Sequence, residues 1–459
     1  MVTPPLWPSS ADGKIWLTTY ADQVPASTAL LTDHYELTML QASLADGTAG
    51  RRSVFEMFAR RLPPGRRYGV VAGTNRALDA IEQFRFGAPE IAWLREHEIV
   101  DDATCDWLAE YRFGGDVWGY PEGEMYFPSS PVLVVEGSFA ETVMLETLLL
   151  SILNHDSAVA SAAARMIGAA AGRPCIEMGS RRTQEWSAVA AARAAYIAGF
   201  ATTSNLEAGR THGIPTAGTS AHSFTLVHDT ERDAFTSQVE SIGAGTTLLV
   251  DTFDIAEAVR VGVEVAGPEL GAVRIDSGDL VSLAHRVRAQ LDELGATDTR
   301  ILVTSDLDER AIATLAAAPV DGYGVGTALV TGSGAPTSGF VYKLVAREDD
   351  TGTLVPVAKK STEKLSVGGR KYALRRRSAS GRAEAEVIGI GDPPSNDGDD
   401  RTLLVPLVES GRRVHHDTLD DARARHRAAL DELPDAARKL SRGEPVIETV
   451  FEGDLSSSS

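Results

Sequence analysis

The amino-acid sequence predicts an α/β protein organised around a parallel β-sheet. Between Cys175 and Thr327, short strands alternate with helices at the spacing of β–α units. The strands are continuously apolar, as expected when helices cover both faces of a sheet. Polar and glycine-rich segments follow the strands directly. Such alternation is typical of either a doubly wound sheet or a closed barrel.

The N-terminal region carries a mixed pattern of helices and strands. Residues 28–47 keep apolar residues at near-helical spacing, and Gly47 ends the run. SVFEMFARRLP, from Ser53, alternates apolar and polar residues like a half-buried strand. RYGVVAGTNRALDAIEQFRF predicts a turn and then a helix. PVLVVEGS, residues 131–138, predicts a strand, and ETVMLETLLLSILN begins a strongly apolar helix.

The alternating region begins with the strand CIEMGS and the helix SAVAAARAAYIAGF. A second helix, SNLEAGRTHG, has Ser204 and Glu207 at capping-box spacing and Gly213 at its C-terminal stop. The later strands are separated by helical segments, and they are IPTAG, TTLLVDTF, AVRIDSG, RILVTSD and VDGYGVG.

After Lys343 the alternation ends. The segment VPVAKKSTEKLSVGGRKYALRRR has basic clusters and short β-like runs, and RAEAEVIGIG and RTLLVPLVESG predict further strands. Residues 391–400, GDPPSNDGDD, have the composition of a flexible loop. A late helix, LDDARARHRAALDELPDAARKL, precedes a serine-rich end.

Composition excludes several classes of protein. The chain has 64 acidic and 44 basic residues, a net charge of −20, which argues against nucleic acid and anionic membranes as partners. The negative net charge does not exclude a phosphorylated small molecule as a ligand, because binding it needs only a local group of arginines or backbone N–H groups. Two cysteines favour neither a disulfide framework nor a thiolate zinc site. Without a long apolar run or a signal peptide, we expect a soluble cytoplasmic protein.

The residues after the strands have the composition of a phosphate-handling site. In a β/α barrel the carboxyl ends of the strands share one face, which carries the chemistry. Arginines and a Gly-x-Gly-Thr turn bind phosphates, and carboxylates beside phosphates usually hold Mg²⁺. The sequence therefore predicts an enzyme that acts on a substrate with several phosphates. The segments concerned are Ser180-Arg181-Arg182, Gly218 to Ser223 with His222, Asp251, Asp276 to Asp279, Ser305-Asp306, and Gly324 to Thr327.

Each of these features also has a purely structural interpretation. Asp279 and Asp308 occupy positions typical of helix N-caps. Asp276 is harder to explain as a cap, because a second carboxylate follows closely. Neighbouring residues of an extended segment point in opposite directions, so only one of Arg181 and Arg182 is expected to face the site.

Seven sequence segments together resemble nicotinate phosphoribosyltransferases, from about Ala29 to about Lys360. They are LLTDHYELTM, FEMFARRLP, EMGSRRTQ, AAYIAGFATTSN, GIPTAGTSAHSF, VRIDSGDL and GYGVGT, in the order found in that family. The resemblance implies an irregular α/β barrel beside a β-rich open-sandwich domain built from both ends of the chain, in a homodimer. The implied organisation is a disordered tail at 1–27, the β-rich and helical domain at 28–140 with 343–445, the catalytic barrel at 141–342, and a flexible tail at 446–459.

The resemblance also implies a reaction and its residues. Nicotinate and phosphoribosyl pyrophosphate would give nicotinate mononucleotide and pyrophosphate, coupled to ATP hydrolysis with Mg²⁺. His222 matches the histidine that this family phosphorylates, and Asp276 is the second predicted catalytic residue, with Asp276 and Asp279 as predicted Mg²⁺ ligands. The predicted substrate-binding residues are Tyr35, Thr219 and Arg274 for nicotinate, and Ser180, Arg181, Gly324, Gly326 and Thr327 for phosphate groups.

Three alternatives stay open at this level. Nicotinamide phosphoribosyltransferase would not prefer an acid, and quinolinate phosphoribosyltransferase would release carbon dioxide and need no ATP. A non-catalytic sensor of phosphoribosyl ligands belongs to a different class, against which His222, Asp276 and Asp279 argue. No residue role from that family is assigned to residues 1–27 or to the divergent region after about residue 380.

Overall fold

A computed structural model describes residues 27–359 and 367–453. The tail predicted at 1–27 lies outside the described residues except for Ser27, and residues 454–459 also lie outside them. In the described part of the chain, no helix combines the length and the apolar character needed to cross a membrane.

The helices lie mainly in the first half of the chain and between the strands of the parallel sheet. They are α1 (His34–Asp46), α2 (Thr74–Glu82), α3 (Ala88–Glu96), α4 (Asp102–Glu110), α5 (Phe139–Val143), α6 (Glu146–Ala169), α7 (Glu185–Ile197), α8 (Leu206–His212), α9 (His222–Leu226), α10 (Glu231–Ile242), α11 (Ile255–Ala266), α12 (Leu280–Glu293), α13 (Glu309–Leu315), α14 (Thr327–Val330) and α15 (Leu419–Glu432).

The strands divide between one parallel sheet and three antiparallel or mixed sheets. They are β1 (Arg52–Ala59), β2 (Gly69–Val70), β3 (Asp116–Gly119), β4 (Met125–Tyr126), β5 (Leu133–Ser138), β6 (Cys175–Glu177), β7 (Thr202–Thr203), β8 (Thr247–Leu249), β9 (Ala272–Ile275), β10 (Arg300–Val303), β11 (Gly322–Val325), β12 (Phe340–Glu348), β13 (Leu354–Pro356), β14 (Lys371–Arg377), β15 (Ala383–Ile390), β16 (Arg401–Thr402), β17 (Val405–Glu409), β18 (Arg412–Arg413) and β19 (Glu448–Glu452).

The parallel strands form an irregular barrel. Their order is β7-β6-β11-β10-β9-β8, and a single bridge adds Thr216 beside Thr203 of β7. Followed around the ring, the strands therefore come in chain order, and the last strand, β11, pairs with the first, β6. No pairing between Thr216 and β8 is seen in the described residues. The predicted α/β barrel is thus confirmed, with one gap in its ring.

The residue pattern explains why this unit folds as it does. Val273, Ile275, Ile301, Val303 and Val325 on three neighbouring strands are fully buried, which fits strands covered on both faces. The helices that follow the strands begin with side-chain caps, which satisfy free backbone N–H groups. These caps are Asp254, Asp279 and Asp308.

The β-rich part combines both ends of the chain, as the resemblance implies. Its seven-stranded sheet has the order β13-β12-β1-β5-β3-β17-β18, and a four-stranded sheet has the order β16-β14-β15-β19. The long β1–β12 pairing joins residues near 55 to residues near 345. Which residues divide the two domains stays a prediction.

Several local predictions were wrong. α1 begins at His34 rather than at residue 28, after a turn closed by a Leu31–Thr28 hydrogen bond. β1 is buried at seven of eight positions, not half-buried, because it lies inside the sheet and Lys371 neutralises its Glu56. The cap of α8 is Asn205, not Ser204.

Two predictions concern the C-terminal region. β19 pairs in parallel with β15, so residues 448–452 of the predicted flexible tail form a strand. Residues 391–400 contain no helix or strand, as their composition predicts.

Candidate active site at the carboxyl ends of the barrel strands

A cavity of about 230 Å³ opens where the barrel strands end. Its walls come from the residues that follow β6, β9, β10 and β11, together with Arg274 inside β9. Four strand ends therefore converge, as expected for a β/α barrel. The lining residues are Met178, Arg181, Arg182, Arg274, Asp276, Thr304, Ser305, Asp306, Gly324, Gly326 and Thr327.

Arg274 is held in place from three sides. Its Nη1 donates to Thr219 Oγ1 at 2.6 Å and to the Ser220 carbonyl at 3.2 Å. Its Nε donates to Thr304 Oγ1 at 3.0 Å, and its Nη2 lies 3.2 Å from Asp276 Oδ2. The side chain is only 11% exposed. These bonds use four of the five guanidinium N–H groups, so the fixed side chain offers its charge and one remaining Nη2–H to an anion in the cavity.

The structure thus brings together three predicted residues, namely Thr219, Arg274 and Asp276. Asp276 also accepts a hydrogen bond from the Thr304 hydroxyl at Oδ1. Its side chain is 33% exposed, so the carboxylate balances the Arg274 charge and still reaches the cavity.

His222 lies beside Asp251, a strand-end carboxylate to which the sequence assigned no role. Its Nδ1 is 3.1 Å from Thr252 Oγ1, and its Nε2 is 3.9 Å from Asp251 Oδ1. Asp251 accepts hydrogen bonds at Oδ2 from the Asp276 backbone N–H and the Ser277 hydroxyl, at 3.0 and 2.6 Å. Its Oδ1 is buried and has no hydrogen-bond partner among the described residues.

This arrangement gives His222 the features of a reactive histidine. The Asp251 side chain is 1% exposed, whereas the imidazole is 42% exposed. The Thr252 hydroxyl lies within hydrogen-bond distance of Nδ1, and the buried carboxylate near Nε2 attracts positive charge that develops on the ring. The exposed edge of the ring stays open to a reactant. The sequence contains the signal for Asp251, because this residue directly follows the apolar strand TTLLV.

Gly324, inside β11, and Gly326, directly after β11, have two different roles. A Cβ on Gly324 would lie 2.4 Å from Thr304 Cγ2 and 2.7 Å from Met178 Sδ, so packing requires this glycine. A Cβ on Gly326 would meet nothing closer than 3.4 Å, the Met178 carbonyl. Gly326 and Thr327 line the open cavity, where a substrate phosphate can approach the backbone.

Both Arg181 and Arg182 line the cavity, so the expectation that only one faces it was wrong. The reason is that residues 179–182 form a turn, closed by a hydrogen bond from the Arg182 N–H to the Gly179 carbonyl, and not an extended segment. Buried Glu177 supports this turn by accepting from the Gly179 N–H. Burial raises the pKa of the Glu177 carboxyl.

Five predicted residues are not among those that line the cavity, namely Tyr35, Ser180, Thr219, His222 and Asp279. Thr219 accepts a hydrogen bond from the cavity-lining Arg274, and His222 lies beside Asp251. Ser180 accepts a hydrogen bond from the Asn205 amide at 3.0 Å. Asp279 caps α12 by accepting from the Ser282 N–H at 3.3 Å, so the structural interpretation holds for this residue, as it does for Asp308. Tyr35 lies at the start of α1, 45% exposed.

Tyr35 has an acidic environment of its own. Burial raises the pKa of its hydroxyl, and the charges of Glu146 and Glu36 raise it further. Glu36 and Asp33 bind the Thr147 N–H and hydroxyl at the start of α6. Tyr35 is therefore fixed next to α6, away from the residues that line the cavity.

The residues missed by sequence reasoning are Met178 and Thr304. Arg182 and Asp251 were named among the strand-end residues, but no role was assigned to them. Ser305, which follows Thr304, has φ of 146° and also lines the cavity. A non-glycine residue in that region is strained, and such strain concentrates at functional sites.

The protein supplies only some of the ligands that a bound Mg²⁺ needs. No cluster of three or more His, Cys, Asp or Glu able to hold a metal occurs among the residues described. The unpartnered, buried Oδ1 of Asp251 and the cavity-lining carboxylate of Asp276 are hard oxygen ligands. Mg²⁺ is commonly held by one or two carboxylates plus substrate phosphates, which is what these two residues offer.

Comparisons with known proteins find relatives of this chain in sequence and in structure. Two family models match the chain: the nicotinate phosphoribosyltransferase (NAPRTase) N-terminal domain over residues 30–154, and the NAPRTase family over residues 174–377. Nicotinate phosphoribosyltransferase pncB1 of Mycobacterium tuberculosis (strain ATCC 25618 / H37Rv) is 57% identical over 437 residues, covering 93% of this chain and 96% of that protein.

Two more distant relatives are also similar to this chain over most of its length. The nicotinate phosphoribosyltransferase of Bacillus subtilis (strain 168) is 36% identical, covering 81% of this chain and 78% of its own length. The crystal structure of human nicotinic acid phosphoribosyltransferase superposes with a TM-score of 0.79 at 25% identity, covering 92% of this chain and 97% of that one.

Proposed function

We propose that this chain, which belongs to the nicotinate phosphoribosyltransferase family, catalyses the first step of NAD biosynthesis from nicotinate and couples it to ATP hydrolysis. Nicotinate and phosphoribosyl pyrophosphate give nicotinate mononucleotide and pyrophosphate, while ATP and water give ADP and phosphate. The observation that carries the proposal is Arg274, held between Thr219 and Asp276 in a cavity that arginines and a Gly-Val-Gly-Thr turn complete.

Arg274 explains the choice of an acid over an amide. Its charge and its remaining Nη2–H lie at the wall of a mostly polar cavity, where a pyridine carboxylate accepts a charge-assisted hydrogen bond. A carboxamide carries no charge to pair with the guanidinium. Met178 supplies an apolar surface in the same cavity for the ring.

The remaining groups bind the phosphates of the second substrate. The 5′-phosphate approaches the backbone of Gly326 and the hydroxyl of Thr327, and Arg181 and Arg182 bind the pyrophosphate. As the bond from the sugar carbon to pyrophosphate breaks, positive charge develops on the sugar and the nearby Asp276 carboxylate stabilises it.

His222 accepts the γ-phosphoryl group of ATP. A bond forms between an imidazole nitrogen and the γ-phosphorus as the bond to the ADP oxygen breaks, and water later releases phosphate from the ring. Asp251 stabilises the positive charge that develops on the imidazole. Asp251 and Asp276 would hold Mg²⁺, which supplies positive charge to the phosphate oxygens when it is bound.

The position of Tyr35 supports a homodimer. If Tyr35 contacts the nicotinate ring, as the family resemblance implies, it does so from a second copy of the chain, because it lies outside the cavity of its own barrel. Exposed apolar residues on the same segment, Leu30 at 39% and Leu31 at 52%, would be covered by that contact.

Pyrophosphate release tests the proposal against its alternatives. We expect release with nicotinate, slow or no release with nicotinamide and quinolinate, and a stimulation by ATP with nicotinate. Faster release with nicotinamide would favour the amide-specific enzyme, and release of carbon dioxide from quinolinate would favour the decarboxylating one. Binding of phosphoribosyl pyrophosphate without any turnover would favour a sensor.

A further inference from the structure

A second cavity lies outside the barrel, between the end of α2 and the β17–β18 hairpin. Its volume is about 60 Å³, which is more than one water molecule needs. None of its lining residues lines the barrel cavity. They are Leu78, Ile81, Glu82, Phe84, Arg85, Arg112, Phe113, Val408, Gly411 and Arg413, and we call this cavity the hairpin groove.

The floor of the hairpin groove is apolar and fixed. Leu78, Ile81, Phe84, Phe113 and Val408 are each at most 8% exposed. Phe84 packs edge-on against Tyr111, with ring centroids 5.6 Å apart. These side chains belong to the core of the β-rich part, so the floor is a stable surface on which an apolar or aromatic group can lie.

Three arginines surround this floor, but they are not equivalent. Arg413 is fully engaged: its three nitrogens bind Asp79, Asn75 and the His415 carbonyl. It therefore forms a fixed wall of the groove.

Arg85 and Arg112 keep most of their donors available. Arg85 uses only Nε, toward the Glu82 carbonyl, and Arg112 uses only Nη1, toward the Tyr111 carbonyl. Within residues 27–359 and 367–453, their other guanidinium nitrogens make no hydrogen bond or ion pair. Both side chains are exposed, so these nitrogens face solvent at the edge of the groove and are free to bind an anion.

The hairpin wall is held rigidly. The Gly411 N–H donates to the Gly115 carbonyl, and the Ser410 N–H donates to Asp116 Oδ1 at 2.6 Å. Gly411 has φ of 72°, and a Cβ there would lie 2.4 Å from the Phe113 carbonyl oxygen. The backbone therefore approaches Phe113 as closely as only glycine allows, and the groove keeps its shape without a ligand.

We infer that the hairpin groove binds a small molecule with one oxyanion group, a phosphate or a carboxylate, attached to an apolar or aromatic group. Arg85 and Arg112 bind the oxyanion through charge-assisted hydrogen bonds, and the attached group covers the buried floor. The inference is independent of the reaction in the barrel, since the two cavities share no lining residue.

Isothermal titration calorimetry on the full chain tests this inference, with phenyl phosphate, benzoate and inorganic phosphate as probes. Phenyl phosphate and benzoate distinguish a phosphate site from a carboxylate site, and inorganic phosphate measures the contribution of the floor. Arg85→Gln combined with Arg112→Gln should weaken the preferred aromatic probe by at least about tenfold, or remove one of two binding events.

Arg412→Gln is the matched control, because Arg412 is exposed on the same hairpin and does not line the groove. It should leave the affinity unchanged, and circular dichroism should show that all variants are folded. Equal affinity and stoichiometry in the wild type and the double variant would overturn the inference. So would an equal loss in Arg412→Gln, or inorganic phosphate binding as tightly as both aromatic probes.

Discussion

At the scale of single residues, Arg274 carries the proposed choice of substrate. Arg274→Ala removes a charge-assisted hydrogen bond in a partly dry site and should cost on the order of 2–3 kcal/mol of nicotinate binding. We expect a strongly raised KM for nicotinate and a smaller change for phosphoribosyl pyrophosphate. An unchanged KM for nicotinate in steady-state kinetics would remove Arg274 from the substrate site.

Asp276 and Asp279 form a matched pair on one turn. Asp276 lines the cavity, whereas Asp279 caps α12. Asp276→Asn should lower turnover and weaken the dependence on Mg²⁺, while Asp279→Asn should change only stability, by about 1 kcal/mol or less, since asparagine is also a good cap. Titration of activity with Mg²⁺ checks both. Wild-type behaviour of Asp276→Asn would show that its carboxylate serves no metal or cation.

Sequence could predict Asp276 because it directly follows an apolar strand, and Asp279 because a helix begins directly after it. It could not rank Asp251 above other strand-end carboxylates, because the distinguishing feature is a buried oxygen without a partner. It also could not predict that Arg181 and Arg182 both face the cavity, since that depends on a turn in the backbone.

At the scale of elements, strand β11 and the turn after it contain two glycines, of which Gly324 serves folding and Gly326 serves binding. Gly326→Val has space for its side chain in the empty cavity and should fold, yet block the sugar phosphate. Gly324→Val should instead destabilise the barrel, because its Cβ would lie 2.4 Å from Thr304. Calorimetry with phosphoribosyl pyrophosphate measures binding by Gly326→Val, and thermal unfolding measures the stability of both variants. Normal binding by Gly326→Val would make this turn purely structural.

Helix α15 contributes a dependence of stability on pH. His426 is 4% exposed, and burial, followed by the charge of Arg423, lowers its pKa to about 4. The unfolded chain takes up this proton near the ordinary value of about 6.5, so the stabilisation is complete above that pH. It is then lost as the pH falls toward 4.

Comparison of His426→Gln with the wild type isolates this effect. Glu36 acts in the opposite direction, since burial raises its pKa to about 7, but both proteins contain it. The free energy of unfolding of the wild type should fall more steeply between pH 6.5 and 4 than that of the variant, by up to about 3 kcal/mol. Parallel curves from denaturant titrations would contradict a neutral buried His426.

Helix ends that are marked by a capping side chain or a terminal glycine were predicted correctly in several cases. The caps Asp279 and Asp308 and the stops Gly47 and Gly213 follow from side-chain chemistry next to an apolar run. β1 was misjudged because its polar residue Glu56 is paired in the interior with Lys371, more than 300 positions away along the chain, which no local pattern reveals.

At the scale of the whole molecule, the proposed homodimer predicts complementation between inactive variants. A mixture of Tyr35→Ala and Arg274→Ala, unfolded and refolded together, would contain mixed dimers with one intact site. Random association should restore roughly a quarter of wild-type activity. Each variant refolded alone is the control. No recovery in the mixture would place Tyr35 outside the partner's site.

The ring order of the barrel strands could not be predicted from the residues alone. A doubly wound sheet and a barrel share the same β–α alternation, and the difference rests on the pairing of Tyr323 with Cys175. That pairing joins the first and last strands of the region, so it is a property of the assembled sheet. Only the family resemblance favoured the barrel in advance.

The most direct test of the proposed mechanism is whether His222 forms a phosphoenzyme. Incubation of the wild type with ATP labelled at the γ-phosphate should give an acid-labile, alkali-stable phosphoenzyme. His222→Asn should lose both the label and the ATPase, yet keep a slow synthesis of nicotinate mononucleotide, because the barrel still positions the other substrates. If His222→Asn still takes up acid-labile label at the wild-type level, His222 is not the phosphoryl acceptor and the proposed mechanism is wrong.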